Sequence, residues 1–196
     1  MESRQSPFAN EEYTVGRICT LPIELAAAKG MLDEEHGDPK DSPAAADHNT
    51  YILGCIDRFK VVVACLPVHE LGSAAAAAVA KDMLFTFPSI RIGLLVGIGA
   101  RVPTDETDIR LGDVVISSDV ETGDAVVYDF GQKGLLMALF KNLALLNRPP
   151  RALSTALSRL RAEHEMRESK IRTILMSCCN NTHLCKKGIC VPWPGR

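Results

Sequence analysis

Short apolar runs that suit strands alternate along the chain with stretches that suit helices. Runs of strand character cover Tyr13 to Thr20, Thr50 to Ile56 and Lys60 to Leu66, and the last of them is β-branched and unbroken. The short turn from Asp57 to Phe59 between the last two runs predicts a hairpin. An unbroken apolar run is typical of a strand buried on both faces of a sheet, so the third run is predicted to be central.

Helical signals follow these runs. Pro22 is predicted to open a helix, because its missing amide hydrogen costs nothing in a first turn, with Thr20 or Leu21 as the cap. Ser73 is predicted to cap an alanine-rich helix that reaches Leu84. The alternation of strands and helices predicts an α/β fold.

The rest of the chain is organised around the stretch from Arg91 to Pro103. Its first half is an almost continuous apolar run, which predicts another central strand, and Gly97 and Gly99 stand where that strand ends. Glycine lets the backbone turn sharply or approach a ligand closely. Since ligands of open α/β sheets bind beyond the carboxyl ends of strands, a site is expected here. The alternative is that the glycines only make a tight turn.

The remaining pattern predicts further elements. Val114 to Ile116 and Gly123 to Phe130 are predicted strands, and Leu135 to Leu146 and Pro149 to Met166 are predicted helices. Asp33 to Asn49 contains glycine, prolines and charges without a period, which predicts a surface loop.

Composition narrows the class of protein. Hydrophobic content of 46% and charged content of 23% are those of a globular protein, and a net charge of −2 gives no reason to expect nucleic acid as a partner. Residues 1–12, predicted to be disordered, lack the apolar centre of a secretory signal, and no run is long enough to cross a bilayer. The chain is therefore expected to be cytoplasmic, with no membrane partner.

Two cofactor motifs are tested and rejected. Gly97 and Gly99 begin a dinucleotide fingerprint, but Val102 replaces its third glycine and Pro103 replaces the helix that would bind pyrophosphate. A zinc site in the cysteine-rich tail fails because its cysteines are not spaced as paired knuckles; they are Cys178, Cys179, Cys185 and Cys190. No cofactor and no metal are expected.

Glu24 is a candidate catalytic residue, because it follows a buried strand and lies in the first turn of the next helix. Its alternative role is a favourable interaction with the helix dipole, typically about 0.3–1 kcal/mol. His69 and Glu70 lie in another strand-to-helix connection, where an acid–base pair and a solvated pair both remain open.

Together these segments resemble the purine nucleoside phosphorylase and nucleosidase superfamily, in the version fused to the amino terminus of fungal receptor-like proteins with nucleotide-binding and repeat domains. The resemblance covers about residues 13–171, a partial domain. The matching segments are Ile18 to Ala28, Val61 to Pro67, Gly93 to Pro103, Leu111 to Ser117, Tyr128 to Gly131 and Pro149 to Ile171.

The resemblance implies a three-layer α/β sandwich, with a mixed sheet flanked by helices. It also implies cleavage of the N-glycosidic bond of a purine nucleoside or nucleotide. It implies that Glu24 holds the attacking water and that Gly97, Ile98, Gly99 and Ala100 lie against the base and sugar. Water is favoured over phosphate as the acceptor, because no clear arginine and serine phosphate cradle is found. The oligomeric state is left open, with a homo-oligomer among the alternatives.

Two departures from the family pattern bear on activity. Relatives usually carry glycine where Ala100 and Arg101 stand, so added side chains crowd the bend. The family also continues beyond residue 171 with residues that grip the ribose and protonate the base, and nothing in residues 172–196 resembles them. Residues 172–196 are therefore expected to be an unrelated, disordered tail, from a retained intron or altered reading frame. Impaired cleavage is expected; a non-catalytic nucleoside-binding or signalling module and a non-functional gene product are the alternatives.

Overall fold

A computed structural model describes residues 5–41, 46–70, 72–99, 114–116, 150–167 and 173–174. The chain divides into two compact units, of which the first includes Met1–Val102 and the second includes Pro103–Ile174. The described elements of the first unit are the strands β1 (Val15–Cys19), β2 (Glu34–Gly37), β3 (Tyr51–Ile56), β4 (Phe59–Cys65) and β5 (Ile92–Leu95) and the helices α1 (Pro22–Gly30) and α2 (Ser73–Thr86).

The five strands form one mixed sheet in the order β2-β3-β4-β1-β5. β1 runs parallel to β4 on one side and to β5 on the other, whereas β3 runs antiparallel to both β2 and β4. The predicted α/β class and mixed sheet are confirmed. The predicted hairpin is also present, with Ile56 paired to Phe59 across the turn.

Both predicted helices of this unit form. α1 begins at Pro22 with Leu21 as its cap residue, as the sequence predicts. α2 continues two residues beyond the predicted Leu84 and ends at Thr86. Its cap is not Ser73 but Gly72, whose φ of 101° lies in a region that favours glycine.

The predicted loop from Asp33 to Asn49 is wrong in its first part, because it contains β2. Glu34 and Glu35 are exposed, and only His36 of this strand is buried. No apolar alternation marks β2 in the sequence, because this strand depends on its backbone pairing with β3. The charged side chains also suit an edge strand, since they discourage pairing with another chain.

The strand in the organising stretch is not central in the described sheet. β5 has β1 as its one strand neighbour there, and Leu94 and Leu95 are exposed. β1, which carries Arg17 among its apolar residues, lies between β4 and β5. An apolar run indicates that a strand forms, but it does not give the order of strands in a sheet.

The predicted disorder of residues 1–12 does not extend over residues 5–12. The Ser6 hydroxyl lies 2.8 Å from the Tyr13 hydroxyl, and the Ser6 amide donates to the Asp38 carbonyl at 2.8 Å. Asn10, in a 3-10 turn from Asn10–Glu12, is buried and donates to the Thr86 carbonyl at 3.2 Å. This segment is therefore part of the folded unit, held by polar contacts that apolar periodicity does not reveal.

The main core lies between the sheet and α2. Phe87 has no exposed surface and meets the rings of Tyr13 and Tyr51 edge-on, with centroids 5.6 and 5.0 Å away. Leu53 and Val62 complete its centre. A second cluster under α1 contains Cys19, Ala28, Val61 and Val63.

The second unit contains the helix α3 (Arg151–Met166), close to its predicted bounds. Val114–Ile116 lie exposed in no helix or strand, contrary to the predicted strand. The predicted strand over 123–130 and helix over 135–146, and almost all of the predicted tail, fall outside the described residues. Among the described helices of both units, none has the length and apolarity needed to cross a membrane.

Candidate functional site

The candidate site lies where two parallel strands end side by side. Ile18 near the end of β1 pairs with Leu95 at the end of β5, and the Val96 amide donates to the Ile18 carbonyl at 3.2 Å. β1 and β5 end at the same edge of the sheet, because parallel strands run in the same direction. The α1 amino terminus and the glycine-containing bend are thereby brought together.

Glu24 joins these two segments through backbone amides. Its Oε2 accepts hydrogen bonds from the amides of Thr20 at 2.7 Å and Leu21 at 3.0 Å. Its Oε1 accepts one from the Ile98 amide at 2.7 Å. The side chain is 6% exposed, so this carboxylate is buried but paired.

The bend needs glycine at Gly97 because Glu24 lies against it. A Cβ at Gly97 would stand 2.8 Å from Glu24 Oε1, closer than such atoms approach in proteins. A Cβ at Gly99 would meet nothing within 4 Å. The structure thus brings Glu24 together with Gly97 and Ile98, leaves Gly99 beside open space, and does not describe Ala100.

The amide contacts keep Glu24 ionised. Burial is the largest single influence and raises its pKa, but the hydrogen bonds from the amides of Ile98, Leu21 and Thr20 oppose it. The positive charge of Arg17 acts in the same direction, so the pKa lies below the usual glutamate value. At neutral pH this side chain is an acceptor of hydrogen bonds and not a proton donor.

The hydrogen-bond capacity of Glu24 is nearly filled. A carboxylate offers about four acceptor positions. The three amides occupy three of them, so about one remains, on Oε1. Leu21 and Ile98, which supply two of the amides, have exposed side chains. The arrangement can accept one further hydrogen bond.

Arg17 is a charged neighbour that sequence reasoning missed. Its Nε is buried and has no hydrogen-bond partner among the described residues. Burial raises the pKa of the Cys19 thiol, and the Arg17 charge partly opposes this effect. Side chains alternate along a strand, so the spacing of Arg17 and Cys19 in β1 was the available signal.

The other candidate pair follows β4, which is parallel to β1. His69 and Glu70 are exposed in the connection between β4 and α2. His69 has a φ of 73°, which is unusual for a non-glycine residue, and the Glu70 amide donates to the Pro67 carbonyl at 3.0 Å. The backbone angle and the hydrogen bond indicate a local turn.

Comparison with known proteins finds one informative similarity. A nucleotide-binding leucine-rich repeat (NLR)-like protein from the fungus Hyaloscypha variabilis is 43% identical over 160 residues, which are 81% of this chain. The chain spans 16% of the length of that relative. The similarity fits the expected occurrence of these segments in fungal receptor-like proteins. No family model and no solved structure matches the chain.

Proposed function

We propose that this chain carries a nucleoside site of the purine nucleoside phosphorylase and nucleosidase type, formed by Glu24 and the bend from Gly97 to Gly99. The observation that carries the proposal is the direct hydrogen bond of 2.7 Å between the Glu24 carboxylate and the Ile98 amide. It supports the pairing of carboxylate and glycine-containing bend that the sequence resemblance implies. The proposed ligand is a purine nucleoside or nucleotide.

The proposed reaction is hydrolysis of the N-glycosidic bond. The bond between the anomeric carbon and the base nitrogen breaks, and its electron pair leaves with the base. The sugar carbon gains positive charge and takes the oxygen of a water molecule, which loses a proton, while the leaving base takes a proton. A fixed anion close to such a transition state lowers its energy, since positive charge develops there.

Glu24 would hold the water through the remaining acceptor position of Oε1. Its low pKa suits this role, because an ionised carboxylate accepts a hydrogen bond from water and stabilises the developing cation. A general base that removes a proton outright works best with a pKa near the operating pH. The proposed role is therefore orientation and electrostatic stabilisation.

A second candidate is a module that binds a nucleoside without cleaving it. Three of the four acceptor positions of Glu24 are used inside the protein and 6% of its surface is exposed, which suits an anchor of the bend as well as a holder of water. The NLR-like name of the relative supports a receptor context.

Chromatography and thermal unfolding on the same samples separate the two candidates. The full chain is incubated with adenosine, inosine, guanosine and their 5′-monophosphates, and free base is quantified. Base release that Glu24→Gln abolishes supports hydrolysis. A rise in Tm without base release supports the binding module, because a ligand that binds only the folded state stabilises it.

Glu35→Gln is the matched control, because Glu35 is an exposed glutamate paired with Lys29 at 2.8 Å. It should leave both readouts unchanged. If no purine compound raises the Tm and none is cleaved, both forms of the proposal are wrong.

A further inference from the structure

A second group of side chains with metal-binding atoms lies on β2 and β3, at the opposite end of the sheet from β5. Glu34, His36 and Cys55 each place one ligand atom so that all three atoms lie within 4.8 Å of one another. Glu34 and His36 are in β2, and Cys55 is in β3. β4 and β1 separate this pair of strands from β5, so the group is distinct from the candidate nucleoside site.

The backbone brings these three residues together. Glu34 pairs directly with Cys55 across the antiparallel ladder, which places their side chains on the same face. The register shifts between Glu35 and Gly37, so the side chain of His36 is set by a bulge. Bulges re-aim a side chain and are frequent beside functional sites.

The imidazole of His36 is held in place before any ligand arrives. The Tyr13 hydroxyl lies 2.9 Å from Nδ1, and the Ser6 hydroxyl lies 2.8 Å from that of Tyr13. The Phe8 ring packs on the imidazole with centroids 4.7 Å apart. One ring nitrogen of His36 is among the three ligand atoms that lie within 4.8 Å of one another. Metal-binding histidines commonly use their other nitrogen for such an outer contact.

We propose that Glu34, His36 and Cys55 bind a divalent zinc ion. Thiolate sulfur, imidazole nitrogen and carboxylate oxygen are the three ligand types that zinc takes in proteins. Tetrahedral zinc needs its ligand atoms roughly 3.5 Å apart, given its usual bond lengths. Glu34 is exposed, so its carboxylate can move toward the other two ligand atoms when the ion binds. Water or another small donor completes the fourth position.

The ion would fasten β2 to its neighbour. In the sheet formed by the described residues, β2 is an edge strand with one buried side chain, that of the proposed ligand His36. Through Tyr13 and Ser6 the same site reaches the amino-terminal segment. Zinc therefore stabilises this end of the sheet, independently of any event at Glu24.

Cobalt substitution tests the site in the full chain, kept reduced by a phosphine that binds metal weakly. Co²⁺ should produce a thiolate-to-cobalt charge-transfer band, and Zn²⁺ should displace it and raise the Tm. Cys55→Ser should abolish the band, and Glu34→Gln should weaken Zn²⁺ binding at least about tenfold. Both substitutions nearly preserve the size of the side chain, so they should not prevent folding. His36 is not substituted, because its side chain and its contact with Tyr13 are buried.

Cys65→Ser is the matched control, because Cys65 is also a half-buried strand thiol and lies in the cluster under α1. It should retain the Co²⁺ band. The same spectra are recorded in a background with serine at the tail cysteines Cys178, Cys179, Cys185 and Cys190. A band that survives Cys55→Ser, or that disappears in the tail-serine background, overturns the proposal.

Discussion

At the scale of the residue, Glu24 determines the local structure of two segments. It accepts amides from Thr20 and Leu21 on one side and from Ile98, 74 residues later, on the other. A buried charge is costly unless it is paired, so these amides and the carboxylate depend on one another. The sequence predicted this meeting because a strand-to-helix glutamate and a strand-ending glycine share one sheet edge. The approach of Arg17 was missed, because its place in β1 indicates a face of the sheet but not the side-chain conformation.

Gly97→Ala should disrupt the site. The new Cβ would stand 2.8 Å from Glu24 Oε1, and the carboxylate cannot move freely because amides hold it. Losing its hydrogen bond to Ile98 should cost about 1.5–3 kcal/mol of unfolding free energy, since the acceptor is charged. Urea denaturation measures the change.

Gly99→Ala is the control for this change, because a Cβ there meets nothing within 4 Å. It should stay within about 0.5 kcal/mol of the wild type. Equal stability of the two variants would show that Glu24 does not hold the bend as described.

Glu24 should also make the fold sensitive to acid. Its pKa is lowered in the folded chain from the ordinary value of 4.5, so the unfolded chain binds a proton first as pH falls. The stabilisation is fully present above about pH 4.5 and is lost as pH falls through the lower, folded value. Denaturation midpoints measured across this range should fall more steeply for the wild type than for Glu24→Gln.

Glu35→Gln is also the control for the pH experiment, because Glu35 is an exposed glutamate. Its profile should follow that of the wild type. Parallel profiles for the wild type and Glu24→Gln would contradict the assigned role of the carboxylate.

At the scale of the element, the sequence predicted helices and hairpin well and predicted the sheet edges poorly. α1, α2 and α3 and the β3–β4 hairpin follow from local signals such as Pro22, the alanine run and the short turn at Asp57. β2 was missed because its order comes from pairing with β3 and one buried histidine. The exposed position of β5 was missed because strand order is a long-range property.

Gly54→Ala should displace β2 from the sheet. A Cβ at Gly54 in β3 would collide with the Glu34 carbonyl oxygen, a backbone atom that cannot rotate away, and would stand 2.7 Å from Leu32 Cδ1. Overpacking of this kind typically costs about 1–3 kcal/mol. Urea denaturation and amide hydrogen exchange in β2 report the loss.

Gly93→Ala in β5 is the matched strand substitution, because its Cβ meets nothing within 4 Å. It should leave stability unchanged or raise it by about 0.4–1 kcal/mol through the unfolded chain. Wild-type protection of β2 in Gly54→Ala would show that the strands are not so closely packed.

At the scale of the whole molecule, the first unit depends on one aromatic core. Phe87 meets tyrosines from the segment before β1 and from β3, and α2 covers the same cluster through Val79 and Met83. The core therefore joins the amino-terminal segment, the sheet and α2, and loss of its centre should affect all three together.

Phe87→Ala should lower the unfolding free energy by about 3–5 kcal/mol, because it leaves a large cavity. Phe85→Ala is the control two residues away, with 75% of that side chain exposed, and should change stability by less than about 0.5 kcal/mol. Denaturant titration compares them. Similar losses of unfolding free energy for Phe87→Ala and Phe85→Ala would show that Phe87 is not at the centre of the core.

The position of β1 between β4 and β5 has a consequence for synthesis on the ribosome. The antiparallel β2–β3–β4 meander consists of near neighbours in sequence and can close early, whereas β1 must wait for strands made later. The entropy cost of closing a loop grows with its length, so β5, which lies farthest from β1 in sequence, pairs with β1 last. The contact between Glu24 and Ile98 thus forms only after β5 has been synthesised, so a ligand that needs both segments recognises the assembled sheet and not its precursors.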